Sequence, residues 1–252
     1  MATDRADQAP AARDAAPADE PAVRLIAAGR SFGVITAVHP LDLDVPAGRS
    51  LALLGHNGSG KSTLLQLIAG HLRPTHGRVE VEGNDLASPE GRQHARRAVA
   101  VGGATGAFYP DLTVAEHLTL VAAAHEVPDV PARVEAILMQ QGLSARRDAL
   151  PAQLSTGLRQ KLDLALAFIR PARVLLLDEP DRGLDPAARA ELWTEVARRR
   201  TAGITLLLAS HHPADIAPLV DEVLLLELGE VLERGPLDRV RGTAAARRLG
   251  LS

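Results

Sequence analysis

The stretch Gly55-His56-Asn57-Gly58-Ser59-Gly60-Lys61-Ser62 fits G-x-x-x-x-G-K-[ST], and its flanks decide the fold. A short apolar run, Ser50–Gly55 (SLALLG), precedes it, and a helical pattern from Ser62 to Leu72 follows. Glycines let such a loop turn sharply and aim its N–H groups inward, and the helix start adds its dipole. Residues 55–63 (Gly55, His56, Asn57, Gly58, Ser59, Gly60, Lys61, Ser62 and Thr63) are therefore candidate phosphate binders. Lys61 and Lys161 are the only lysines among 28 basic residues. A compact ammonium suits a tight loop better than a guanidinium fork does, which explains Lys61. The reading is a nucleoside triphosphate site, with the Ser62 hydroxyl offered to Mg²⁺.

Outward from the loop, strands alternate with helices. Early strands are expected from Val23 to Val45, then RVEVEG (Arg78–Gly83) and VAVGG (Val99–Gly103). RVLLLD (Arg173–Asp178), ITLLLAS (Ile204–Ser210) and EVLLLEL (Glu222–Leu228) are continuous apolar runs separated by helices at Pro186–Arg200 and Pro213–Leu219. Such strands suit a parallel sheet covered on both faces, an α/β fold. From Thr113 to Arg170 the texture is helical, with no convincing strand.

Asp178-Glu179 closes one apolar strand, at the rim where ligands of open α/β sheets bind. Asp178 can hold a water of a Mg²⁺ shell, and Glu179 is the candidate general base for an attacking water.

Composition narrows the classes. The 252 residues carry a net charge of −3 and no cysteine, so thiolate metal sites and cysteine nucleophiles are excluded and nothing suggests nucleic acid as a partner. No apolar run approaches the roughly 18 residues of a membrane span. Residues 1–21, rich in Ala, Asp and Pro, read as a disordered acidic tail ahead of a single unit, 22–252.

With these motifs in place, the chain resembles the nucleotide-binding subunit of ATP-binding cassette (ABC) transporters over roughly residues 22–245. Leu154-Ser155-Thr156-Gly157-Leu158, just before a helix, is similar to the family's L-S-G-G-Q signature. The resemblance implies a P-loop NTPase core with a mostly parallel sheet, an antiparallel β subdomain on the N-terminal side and an inserted helical subdomain near 113–170. It implies ATP and Mg²⁺ as cofactors. By it, Ser155, Thr156 and Gly157 face the γ-phosphate held by a second copy or a paralogous subunit, and Asp185 communicates across that dimer. His211 stands where the family has its switch histidine, and Phe32 where it has an aromatic against adenine, with core filling as the alternative for Phe32 and His212 as a surface neighbour. Glu179, His211 and Lys61 would carry the chemistry, with Ser62 and Asp178 on the metal.

Two departures are visible. Ala104 or a neighbour stands where the family's glutamine is expected, since no glutamine occurs between Gln93 and Gln140, and the signature has Thr156 and Leu158. The segment GATGAFYPDLTV, residues 103–114, is similar to subfamilies that export sodium or drugs. The expectation is an ATPase peripheral on the cytoplasmic face of a membrane, driving a separate permease and working as an exporter. The alternatives are a soluble ABC ATPase of cofactor assembly and a regulator that binds ATP without hydrolysis. Lys161 keeps only a surface reading.

Overall fold

Residues 21–46 form a long antiparallel hairpin, β1 (Pro21–Phe32) and β2 (Ile35–Pro46), turning at residues 33–34. The computed structural model describes residues 21–103, 107–211 and 213–250, so the tail expected at 1–21 lies outside them except for Pro21, which opens β1. The buried strand β3 (Ser50–Leu54) leads through the glycine loop into α1 (Lys61–Ile68). Next come β4 (His76–Val81), β5 (Asn84–Asp85), α2 (Pro89–Ala98) and β6 (Val99–Gly102). The stretch between β6 and the next strand contains α3 (Val114–Ala124), α4 (Val130–Gln140) and α5 (Thr156–Phe168), and no strand among the described residues. The chain then runs through β7 (Val174–Asp178), α6 (Pro186–Thr201), β8 (Thr205–Ala209), α7 (Pro213–Ile216), β9 (Glu222–Glu227), β10 (Glu230–Gly235), α8 (Leu237–Arg241) and α9 (Ala244–Arg248).

Two sheets result. One is antiparallel, in the order β2-β1-β4-β5; the other runs β10-β9-β3-β8-β7-β6 and is parallel except for the β10–β9 edge. The continuous apolar strands are explained by burial on both faces. Ala52, Leu54, Leu175, Leu177, Leu206 and Leu208 join the core under the helices α3–α6. The alternate residues Leu51, Leu53, Val174, Leu176, Leu207 and Ala209 join a second core with α1 and the antiparallel sheet. Neighbouring residues on a strand point to opposite faces, so an unbroken apolar run is what two cores demand.

Some elements depart from the sequence expectations. Helix α1 stops at Ile68 rather than Leu72, because Gly70 adopts φ +72° and the His71 and Leu72 amides turn back to the Gln66 carbonyl. The expected helix at Pro213–Leu219 is one α turn followed by a 3₁₀ turn at Ala217–Leu219. The helical reading of residues 144–150 reduces to a 3₁₀ turn at Ser144–Arg146. Strand β10 is a hairpin return of β9, made by Leu228 (φ +49°) and Gly229 (φ +82°). Two successive positive φ values are what a tight two-residue hairpin requires.

Candidate functional site

The loop between β3 and α1 is built around positions that only glycine can occupy. Gly55 would place a Cβ 2.2 Å from the Leu226 carbonyl oxygen, and Gly60, at φ +103°, one 2.4 Å from that of Ala37. Gly60 is the N-cap of α1 and offers no side chain to the helix start, so the first amides of α1 lack both an intrahelical acceptor and a side-chain cap. Lys61 is buried, and its Nζ donates to the carbonyls of Gly55 (2.7 Å) and His56 (3.1 Å). An ammonium has three donors, so these two bonds fix its position and leave one for a ligand. Burial pulls Lys61 below the ordinary lysine range, opposed by the charges of Glu179 and Asp178.

Opposite the loop, the ends of β7 and β8 lie side by side, with Asp178 registered on Ala209. The Glu179 amide continues the pairing onto the Ala209 carbonyl at 3.0 Å. Each chain then leaves the sheet, and His211 Nε2 meets Glu179 Oε1 at 2.6 Å. Glu179 has φ +48°, a left-handed conformation uncommon for a residue with a Cβ. Burial pushes Asp178 above the usual carboxylate range, against a hydrogen bond from the Ser62 hydroxyl. Asn57, Glu179, Asp181, Arg182, Gly183, Arg189 and His211 line one cleft of about 510 Å³.

The structure thus brings Lys61, Ser62, Asp178, Glu179 and His211 into one group. A divalent cation fits this set. Asp178 Oδ1 is buried without a hydrogen-bond partner, and the Ser62 hydroxyl lies on the same carboxyl group, so hard oxygen donors stand together with capacity to spare. Among the described residues no three His, Cys, Asp or Glu gather to hold a metal alone, which suits an ion that keeps its waters and takes few protein ligands.

The remaining candidates lie elsewhere. Ser155 caps α5 through the Leu158 amide at 3.3 Å. Gly157 abuts the Gly183 carbonyl, where a Cβ would lie at 3.0 Å, so this stretch touches the loop after Glu179. Ser155 and Thr156 are exposed. Asp185, also exposed, caps α6 through the Ala188 amide at 2.9 Å. Phe32 is 46% exposed, so it does not fill the core, and the Arg30 guanidinium covers its ring at 4.6 Å. His212 and Ala104 lie outside the described residues. Lys161 acquires a partner, Glu191, at 3.8 Å.

Asn57, of the candidate phosphate loop, lines the cleft. Sequence reasoning passed over three residues around this group: Arg189 reaches Asp181 (3.8 Å) and Asp215 (3.7 Å), Gln160 donates to the Pro180 carbonyl (2.9 Å), and Asp163 accepts from the Gly103 amide. Asp163 had a visible signal, an acid in the apolar run LDLALAF.

Comparison with known proteins fits this geometry. The family model described as "ABC transporter" matches residues 38–182. The methionine import ATP-binding protein MetN 2 of Burkholderia mallei is 36% identical over 254 residues, which cover 94% of this chain and 63% of that protein. The chain therefore spans less than two thirds of that relative's length. The thiamine import ATP-binding protein ThiQ of Rhizobium meliloti is 37% identical over 210 residues, covering 82% of this chain and 87% of that protein. A solved ATP-binding subunit of an ABC transporter superposes with a TM-score of 0.80 at 30% identity, over 91% of this chain and 93% of the other. A phosphate loop facing an acidic strand end, a capped helix beside the loop that follows it, and a family match over more than half of the sequence agree: the chain belongs to the ABC transporter family, as one of its ATP-binding cassettes.

Proposed function

We propose that this chain is the ATP-binding and ATP-hydrolysing subunit of a transporter, pairing head to tail with a second copy or a paralogous subunit and driving a separate membrane permease. The observation that carries the reading is the Glu179–His211 contact at 2.6 Å beside buried Lys61 and the part-buried Asp178. Residues 22–252 act as one ATPase unit, with the helices of 113–170 as an inserted arm.

Lys61 and the amides at the start of α1 hold the phosphates of ATP, a point charge and a set of aligned dipoles on the same anion. Ser62 and Asp178 would hold Mg²⁺, which when bound neutralises charge on the phosphate oxygens. Glu179 accepts the proton of the attacking water on its carboxylate. His211, with Nε2 protonated, orients that carboxylate through Oε1 and puts a donor next to the transferred group. Gly157, beside the exposed Ser155 and Thr156, lies against the loop after Glu179. These three residues offer the exposed start of α5 to the ATP of a facing subunit, with Asp185 at the same seam. Phe32 presents one exposed ring face to the base.

No helix among the described residues is long and apolar enough to cross a membrane, which supports a permease on another chain and a peripheral position for this one. The two relatives named above are import ATP-binding proteins, which weighs against the export direction expected from residues 103–114 without bearing on the ATP chemistry.

The test is turnover of ATP by the wild type, Glu179→Gln and Lys61→Ala. Loss of a general base costs about 10²–10⁴ in rate. Glu179→Gln should lose turnover in that range, keep ATP affinity and accumulate as an ATP-bound dimer by light scattering. Equal hydrolysis by the wild type and Glu179→Gln would sink the assignment. Recovery of the chain free of membranes and of any integral partner would favour the soluble alternative.

A further inference from the structure

Helix α5 buries Leu162, Leu164, Ala165, Ala167 and Phe168, yet two polar side chains three residues apart interrupt it. Gln160 Nε2 donates to the Pro180 carbonyl at 2.9 Å, and Asp163 accepts the Gly103 amide. Both targets belong to the acidic end of the parallel sheet. Pro180 follows Glu179, and Gly103 follows β6, whose Gly102 is registered on Leu177. That corner is tightly wedged. A Cβ on Gly103, which has φ +88°, would lie 2.4 Å from the Asp178 carbonyl oxygen, and one on Gly102 would lie 3.0 Å from the Ala167 Cβ. Gly103 is also the residue before Ala104, and at Ala104 or a neighbour the family resemblance calls for glutamine. The chain lacking that side chain carries an acid on the neighbouring helix that reaches the adjacent amide.

We propose that Asp163 is a positioning residue for the ATPase reaction: as a carboxylate it grips the Gly103 amide and makes α5, with Ser155 at its head, move as one body with the strand end that carries Asp178 and Glu179. The proposal rests on the ATPase reading above. An ionised carboxyl held part-buried against an apolar helix face is costly, and such charges cluster at functional positions. Burial raises Asp163 to about 6, with the Gly103 amide as the counterweight. The charged groups on the flanking elements are engaged elsewhere. Arg159 donates to the Pro151 and Leu154 carbonyls, Lys161 pairs with Glu191, and Arg133 of α4 donates to the Phe168 carbonyl. His117 of α3 bonds the Thr113 carbonyl and the Tyr109 amide, and Asp178 and Glu179 face Ser62 and His211.

The test compares the full chain with Asp163→Asn, which keeps the shape and removes the charge. Losing part of a charge-assisted hydrogen bond predicts roughly tenfold slower turnover at pH 8. The KM for ATP should stay within about twofold, because the phosphate loop is untouched. The ratio of wild-type to variant turnover should fall below about two by pH 5, where the wild type also carries a neutral side chain. Taking the ratio cancels any pH effect that the two proteins share. Independently of activity, the Gly103 amide resonance should titrate with a midpoint near 6 in the wild type and not in the variant. A ratio of one at pH 8, a ratio independent of pH, or a Gly103 amide that does not titrate overturns the proposal. A titrating Gly103 amide in a wild type that hydrolyses no ATP strikes the ATPase reading and leaves the tie itself intact.

Discussion

Removing the charge of Asp163 should stabilise the protein while slowing it, and the size of that gain follows from linkage. The carboxyl lies at about 6 in the folded chain against an ordinary value of 3.8, because burial disfavours its ionised form. A raised carboxyl means that the folded state binds the proton more tightly than the unfolded state does. Stability is therefore lost as the group ionises: none of the cost is felt below about pH 3.8, it grows between the two values, and it is complete above about pH 6. At 1.36 kcal/mol per unit the full cost is about 3 kcal/mol. Asp163→Asn never pays it, so the advantage of the variant should grow by about 2 kcal/mol between pH 4.5 and pH 7.5. The amide has to find an acceptor for its own N–H groups, which lowers the absolute gain but not its pH dependence. Urea unfolding followed by Trp193 fluorescence at each pH gives both curves, and a shift of midpoint at unchanged slope isolates stability. Two curves that run parallel across this window would refute the argument, since they would mean that Asp163 titrates alike in both states.

Other substitutions probe the frame and the nucleotide edge. Arg199 is buried, donates to Glu195 at 2.6 Å and to the Phe168 carbonyl at 2.7 Å, and stacks on the Phe168 ring. Arg199→Met strands the buried Glu195 with only Arg198 and Gln140, so a loss of about 3 kcal/mol and a Tm lower by about 6–12 °C are expected in a melting experiment. Phe32→Ala should raise the KM for ATP about two- to tenfold with kcat unchanged, and Phe32→Tyr should restore it, because an aromatic stack contributes about 0.5–1.5 kcal/mol and takes no part in the chemistry.

What the sequence reveals and what it hides divides along a physical line. The central strands were legible because burial on both faces leaves an unbroken apolar run, as in Leu175–Leu177 and Leu206–Leu208. Helix α2 was not, because its buried face is Gly91, Ala95 and Ala98, residues too small to draw an apolar stripe. Its start at Ser88-Pro89 was readable in principle, since Ser88 caps the Gly91 amide and Pro89 occupies the first turn. Strand β10 was hidden by a Leu-Gly turn where Asn-Gly would have announced a hairpin.

The site divides in the same way. The phosphate loop is local, eight consecutive residues whose conformation and function are fixed together, so its pattern suffices. The contact between Glu179 and His211 joins residues 32 apart in sequence and exists only because β7 and β8 are parallel neighbours in a definite register. With Asp178 level with Ala209, the next residues of both strands leave the sheet at the same height and on the same rim. A slip of one residue in that register would turn the side chains of one strand to the opposite face. Asp163 is the intermediate case. An acid within LDLALAF announces itself, but its partner at Gly103 depends on how α5 lies across β6, which no local pattern contains. Position in the chain thus proposes the chemistry of this site, whereas strand register and helix docking decide which of its groups meet.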